Sequence, residues 1–333
     1  MNYFGRVFRI TLFGESHGHS VGVVLDGVPP GIKVSDEELS GELERRRAGA
    51  RGTTPRKEDD APEWLSGIFK GCTTGAPVTV VTRNRNIRSD DYYGFRNQPR
   101  PGHADFSSMV KFGGNTDYRG GGHFSGRLTW GLVVAGYFAR KIAGQVSINA
   151  SIISAGGSPD IDASVERAVE SGDSIGAIIE CVASDVPAGL GEPFFYSAES
   201  ALSSLLFSIP AVKGVEFGSG FAAAGMTGSQ HNDPIVDVSG KTLTNNAGGI
   251  NGGITNGNDL VVRIAVKPAS SIASLQKSVD LSSGEISELR IGGRHDTLIA
   301  LRMPVIVESA VAAVIADLIM VDRAIHFKER GKG

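Results

Sequence analysis

Forty-five of the 333 residues are glycine, and they are grouped rather than spread. Among the pairs and triples are Gly113-Gly114, Gly120-Gly121-Gly122, Gly248-Gly249, Gly252-Gly253 and Gly292-Gly293, with no collagen-like period. Such groups allow positive φ and close backbone approach, at an entropic cost that helix and strand interiors avoid. A single pair reads as a tight turn between strands. Five groups beside Arg, His, Asn and Asp read as loops that cradle ligands.

The histidines share that placement. His17, His19, His103, His123, His231 and His295 lie in Gly-, Asn- or Arg-rich stretches, and only His326 does not. A loop histidine can meet a ligand as general acid or base near neutral pH, whereas one on an apolar helical face is a core residue. Three clusters stand out: Gly14-Glu15-Ser16-His17-Gly18, Arg100-Pro101-Gly102-His103-Ala104-Asp105 and Gly293-Arg294-His295-Asp296.

Composition narrows the class. With 41% hydrophobic residues and a mean hydropathy of -0.03, the chain can bury a large core and has no disorder signature. Thirty-three basic against 36 acidic residues give a net charge of -3, so no global basic field exists and any anion site must be local. Cys72 and Cys181 form no Cys-x-x-Cys pair, which speaks against a zinc ribbon and fits a reducing cytosol. Residues 1–6 carry no apolar leader. The apolar stretch 310–321 is too short to span a bilayer and contains Asp317, so a cytoplasmic protein is expected.

Periodicity predicts strands at 8–12, 21–25, 77–82, 147–153, 177–183, 212–217 and 260–266. Ser35 with Glu38 forms a capping box for a helix that buries Leu39 and Leu43 and ends in Arg45-Arg46-Arg47. Three arginines there interact with the helix dipole and solvent, but Arg51 and Arg56 extend them into a mobile cationic segment suited to grip phosphate or carboxylate. Residues 84–118 read as a long polar loop that holds His103. The glycine run 120–122 feeds a helix amino terminus, an arrangement that suits an anion. Further helices are predicted at 161–169, 198–207 and 307–326, the last a core helix. One interwoven α+β domain over 1–333 follows, and strands and helices recurring in both halves allow an internal pseudo-repeat.

The strings 13–18, 26–31 (Asp-Gly-Val-Pro-Pro-Gly), 45–47, 100–105, 120–122 with Ser125-Gly126-Arg127, Lys267-Pro268 and 293–296 together resemble chorismate synthase, in that family's order and across nearly the whole chain. The resemblance implies an α+β fold, a β-α-β sandwich with helices packed between antiparallel sheets. It implies a lyase that converts 5-enolpyruvylshikimate 3-phosphate (EPSP) to chorismate and phosphate by trans-1,4 elimination, in the shikimate pathway to aromatic amino acids. Reduced FMN is the implied cofactor, with NADPH only an indirect source of reduced flavin. A cytoplasmic homotetramer is implied, without nucleic acid, membrane or metal, and with an external flavin reductase.

Carried over residue by residue, the resemblance assigns His17 to protonating the reduced flavin and His103 to assisting the leaving phosphate. Asp296 helps flavin N5 take the C6 proton, kept ionised by Arg294. Ser16, Arg46, Arg51, Arg100 and Arg127 would bind substrate anions. The flavin would lie against His123, Phe124, Ser125, Pro210, Ala211, Gly252, Lys267, Pro268, Ala269, Ser270, Ser271 and Arg294. Three positions depart from the family pattern. His123-Phe124-Ser125 replaces the usual Arg-Ser-Ser, Pro210 stands where Asn is common, and Thr297 replaces the Pro that follows the His-Asp pair.

A metal-dependent hydrolase would use His17, His19, His103 and Asp296 as ligands, but no His-Glu-x-x-His helix exists and the arginine-dense surroundings repel a divalent cation. Bound metal in the purified protein would revive it. An RNA-binding module built on residues 45–56 and the Phe4, Tyr92, Tyr93 and Phe95 rings fails the charge test. Because His123 is a weaker cation than the arginine it replaces, His123→Arg is expected to tighten FMN binding in a fluorescence titration. An unchanged or larger Kd would remove that loop from the cofactor site.

Overall fold

The computed structural model describes residues 2–49, 51–54, 58–87, 89–292 and 295–325, so Arg56, Gly293, Arg294 and His326 lie outside the described residues. The chain opens with β1 (Tyr3–Phe4), β2 (Arg9–Gly14) and β3 (Ser20–Asp26), paired antiparallel, with β2 and β3 in register from Arg9↔Asp26 to Gly14↔Val21. After α1 (Asp36–Arg45) come β4 (Glu63–Ser66), a small hairpin of β5 (Ile68–Phe69) and β6 (Cys72–Thr73), and β7 (Val78–Arg83). The antiparallel sheet runs β1-β2-β3-β7-β4. Its apolar residues, among them Ile10, Val23, Leu25, Val78 and Val80, are buried on the face that meets the helices.

Only half of the expected capping box forms. Ser35 Oγ accepts from Glu38 N at 3.2 Å, but the Glu38 carboxylate bonds Lys141 Nζ at 2.7 Å instead of returning to the cap. The Ser35 N–H donates to the Tyr137 hydroxyl at 2.8 Å, so a neighbouring helix completes the cap. Residues 84–118 are also less irregular than expected. They contain a 3-10 segment (Ser89–Arg96) and α2 (Asp105–Lys111), and Tyr92 and Phe95 pack with Leu289 and Ile291 in a small satellite core.

There follow α3 (Thr129–Ala143), β8 (Ser147–Ala155), α4 (Ile161–Ser171), β9 (Ala177–Ser184), α5 (Ala198–Ser208), β10 (Val212–Phe217) and α6 (Gly228–His231). The chain continues through β11 (Ile250–Asn251), β12 (Ile254–Thr255), β13 (Leu260–Val266), β14 (Gln276–Val279), β15 (Ile286–Leu289) and α7 (Pro304–Ile325). The second antiparallel sheet runs β10-β13-β9-β8. Helices α3 and α7 lie between the two sheets, α3 against β3 and α7 against β8 and β9. The result is the expected α+β sandwich.

Both central helices are apolar nearly all round because a neighbour covers every face. Contrary to expectation, α7 is long and apolar enough to cross a bilayer: it has 22 residues and a hydropathy of 2.1. Its apolar window is 89% buried within the protein, which identifies it as the core helix. A methyl group on Gly136 would lie 2.3 Å from Ser309 Cβ, so the α3–α7 crossing requires glycine there.

One carboxylate on α7 ties down the amino-terminal segment. Asp317 Oδ1 accepts from the Arg6, Val7 and Phe8 backbone N–H groups at 3.0, 2.7 and 2.9 Å. In Asp317→Ala these donors lose their acceptor. The expected loss is about 3 kcal/mol in urea unfolding, since a stranded buried donor costs roughly 1–3 kcal/mol and water recovers part of the total. A loss below about 0.5 kcal/mol would mean that this carboxylate does not hold the segment.

Candidate active site

A cavity of about 1510 Å³ opens between the loops of the first sheet and the ends of β10 and β13. Sites for one drug-sized ligand span roughly 300–1,000 Å³, so this one admits two organic molecules side by side. Three walls carry its chemistry.

The first wall is built by burying arginine. The structure does not leave Arg45-Arg46-Arg47 as one solvated run. Arg45 turns to the core acid Glu308, with two bonds of 2.7 Å, and Arg46 is 2% exposed at the cavity. Arg46 Nη2 donates to Asp60 Oδ2 at 2.6 Å, and Arg127 Nη1 donates to Asp60 Oδ1. Burial lowers the Arg46 pKa to about 10, with repulsion from Arg302 and Arg127 opposed by Asp60, so it stays protonated at neutral pH. Burial pushes the Asp60 carboxyl up, but Arg46 and Arg127 overcome it and hold the group below the usual carboxylate value. Arg302 Nε donates to the Arg46 carbonyl at 3.0 Å, and its Nη1 lies 3.5 Å from Asp296 Oδ2. Asp296 also accepts from Thr54 N at 2.8 Å, so among the described residues its cationic neighbour is Arg302.

The second wall holds His103. Its Nδ1 lies 2.6 Å from Asp105 Oδ1, and Asp105 accepts from Arg100 Nε and Nη2 at 2.8 and 2.9 Å. Burial raises the Asp105 pKa, but the hydrogen bonds from Arg100 and His103 dominate and hold it far below the ordinary value. A carboxylate so placed selects the imidazole tautomer with hydrogen on Nδ1, and Nε2 lies 3.2 Å from Arg100 Nη2. Beside it Lys267 Nζ donates to the Gly102 carbonyl and to Ser270 Oγ at 2.8 and 2.6 Å, and Arg100 Nη1 reaches Ser271 Oγ at 3.2 Å. Burial, then the Lys213 ammonium, hold Lys267 below the usual lysine value.

The third wall is the glycine loop. Gly120, Gly121 and Gly122 all have positive φ, and α3 begins only at Thr129, so the run does not feed a helix amino terminus as expected. It separates the two imidazoles. A Cβ on Gly120 would lie 2.5 Å from the His17 ring, and one on Gly121 would lie 3.5 Å from His103 Nε2. His123, Phe124 and Ser125 continue the wall, and Pro210 and Ala211 also line the cavity. His123 Nδ1 is 2.9 Å from the Gly14 carbonyl.

His17 and Ser16 stand just behind this lining. Both are buried, Ser16 N donates to the Gly122 carbonyl at 3.0 Å, and His17 meets Tyr92 edge to face at 5.1 Å. Pro268 and Ala269 line the cavity beside Lys267. Two expected residues do not join. Arg51 is exposed and pairs with Glu166 at 2.6 Å, because its loop runs along α4. Gly252 sits in the β11–β12 hairpin turn, where its φ of 61° serves the turn rather than the cavity. Among the described residues no group of three His, Cys, Asp or Glu could hold a metal ion.

Sequence reasoning missed Asp60, Asn84 and Arg302, and it quoted Asp105 only as part of the His103 string, without a role. Asn84 Nδ2 donates to the Glu15 and Gly18 carbonyls at 3.0 and 2.8 Å, and its Oδ1 accepts from Arg127 Nε at 3.0 Å, so it joins the His17 turn to the arginine wall. The one signal in sequence was the acidic run 58–60 closing a basic stretch.

The family profile described as chorismate synthase matches residues 8–320. A chorismate synthase of Chitinophaga pinensis is 55% identical over 324 residues, covering 97% of this chain and 98% of that protein. Another, from Thermococcus kodakarensis, is 49% identical over 347 residues, covering 96% and 98%. A solved crystal structure of chorismate synthase matches with a TM-score of 0.73 at 27% identity, covering 96% of this chain and 93% of that one.

The His103–Asp105 geometry yields a direct test. Asp105→Asn keeps the shape but loses the charge that orients the imidazole, and turnover is expected to fall by about 10²–10⁴-fold, the range from one tuned acid or base to a misoriented catalytic histidine. Wild-type turnover in the variant would deny Asp105 that role.

Proposed function

Because the chain belongs to the chorismate synthase family, we propose that it eliminates phosphate from EPSP to give chorismate, with reduced FMN held in the same cavity. The supporting observation is the convergence of Arg46, Arg127, Arg100 and Lys267 on one hollow beside a His103–Asp105 pair. A substrate bearing a phosphate and carboxylates needs that concentration of guanidinium and ammonium donors.

In the elimination the C3–O bond breaks and phosphate leaves with its electron pair. A proton leaves C6, and a second ring double bond forms. Reduced flavin, when bound, lends electron density during the bond breaking and recovers it, so no net oxidation occurs. Arg46 and Arg127 bind substrate anions from the first wall, and Arg100 does so from the second. His103 would act in its protonated form, with the Nδ1–H held by Asp105 and the Nε2–H given to the departing phosphate. His17, packed against Gly120 at the cavity wall, would hold the proton that keeps a bound reduced flavin uncharged. Asp296, held by Thr54 N and Arg302, takes part in receiving the C6 proton.

The seat proposed for the flavin is the apolar rim of Phe124, Pro210 and Ala211 together with His123, Ser125 and the segment 267–271. That combination suits a planar heteroaromatic ring with an anionic tail. Reduced cofactor would come from an external reductase, with NADPH as its distant source. Assembly as a homotetramer and a single folding unit over 1–333 belong to the same reading. Phe194, Phe195 and Phe221 are each more than 80% exposed, and apolar surface of this kind marks contact sites.

The test is an anaerobic assay with dithionite-reduced FMN and EPSP, following chorismate absorbance. Wild-type protein is expected to form chorismate, and His17→Ala and His103→Ala each to lose about 10²–10⁴-fold in turnover without unfolding. No chorismate from the wild type would sink the assignment, and full turnover in either variant would sink that histidine's role.

A further inference from the structure

Arg46 and Arg127 share one acid. Asp60 gives Oδ2 to Arg46 and Oδ1 to Arg127, and relative exposures of 2, 2 and 6% for Arg46, Asp60 and Arg127 put the triad out of bulk water. Two cations and one anion leave a net positive charge. Arg46 Nε and Arg127 Nη2 are buried without a hydrogen-bond partner among the described residues, although both side chains border the cavity. Buried donors left unpaired call for an acceptor from outside the chain.

The backbone of Asp60 is held in an uncommon state. Its φ is 57°, a left-handed conformation uncommon outside glycine, asparagine and aspartate, and Trp130 Nε1 donates to its carbonyl at 3.1 Å. Strain of this kind persists where the surroundings over-determine it, and it clusters at ligand sites.

We propose that Asp60 is a positioning residue: by dividing its carboxylate between Arg46 and Arg127 it holds two mutually repelling guanidinium groups as one oxyanion subsite for the substrate. Without the shared acid the two cations would separate. With it, each commits one nitrogen to Asp60, and the remaining donors keep a fixed spacing. The identity of the substrate rests on the function proposed above, whereas the clamp is testable with inorganic phosphate alone.

Asp60→Asn is the informative variant, because asparagine matches the shape and tolerates positive φ. Its amide turns a donor toward one guanidinium and releases that arginine. Inorganic phosphate is expected to raise the melting temperature of the wild type, and the variant to need about tenfold more phosphate for the same rise, the factor carried by one charge-assisted hydrogen bond. KM for EPSP should rise by about the same factor while kcat changes less, and Asp60→Glu should restore part of both. In an Arg127→Lys background the Asp60→Asn loss should shrink, because the pair acts as a unit. Unchanged phosphate affinity and KM in Asp60→Asn, or fully additive losses in the double variant, would overturn the proposal. If Asp60→Asn fails to fold, the Arg127→Lys and Asp60→Glu variants decide: retention of wild-type phosphate affinity in both overturns it. Phosphate binding that depends on Asp60 in a protein that makes no chorismate would leave the clamp standing and remove the reaction.

Discussion

The approach of α3 to α7 sets the spacing of the whole molecule. Gly136 admits the Ser309 side chain where any β-carbon would collide, so the helices meet closely enough for one sheet to cover each outer side. Interiors packed at crystal density do not absorb a misfit of that size by small adjustments. The strand ends that deliver the His17 turn, the glycine loop and the segment 267–271 inherit their separation from this contact. The cavity is a remote product of helix packing.

Charge burial follows the same economy of partners. Glu308, 3% exposed, accepts from Arg45 and Arg140 and from the Ala150 N–H at 3.0 Å. Removal from water costs a carboxylate several kcal/mol unless donors replace its hydration, and each deeply buried acid here collects several. The consequence for function lies in the order of residues along α1. With Arg45 committed to the core acid, the helix ends there and its C-cap Arg46 turns its side chain into the cavity, while Arg47 reaches the Asp59 carbonyl. Three adjacent arginines thus have three separate duties.

Legibility varied with the range of the interactions involved. Strands β2, β3, β7, β8, β9, β10 and β13 and the long helices were readable because their apolar periods reflect local burial. The two-residue strands, β4 and the β14–β15 hairpin were not, since they are held by pairing partners rather than by their own pattern. Residues 84–118 looked like loop because the aromatic contacts that fold them lie near residue 290. At the site, the string 100–105 singled out His103, but the partnership with Asp105 came only from the geometry. Asp60, Asn84 and Arg302 could not, because each acts on a residue remote in sequence, and Arg51 looked like a ligand-binding cation until Glu166 claimed it. Motif resemblance located the pocket. Geometry distributed the work within it.

The contact between residues 136 and 309 also has a kinetic consequence. Nearly the whole second half of the chain must be synthesised and looped back before α7 can cover α3, and each helix is apolar nearly all round. Topologies dominated by such distant contacts nucleate slowly, and partly assembled states leave sticky surface open to association. The price of a fully enclosed helix pair is therefore a vulnerable interval during biogenesis, when a holdase or a low protein concentration decides the yield of native enzyme.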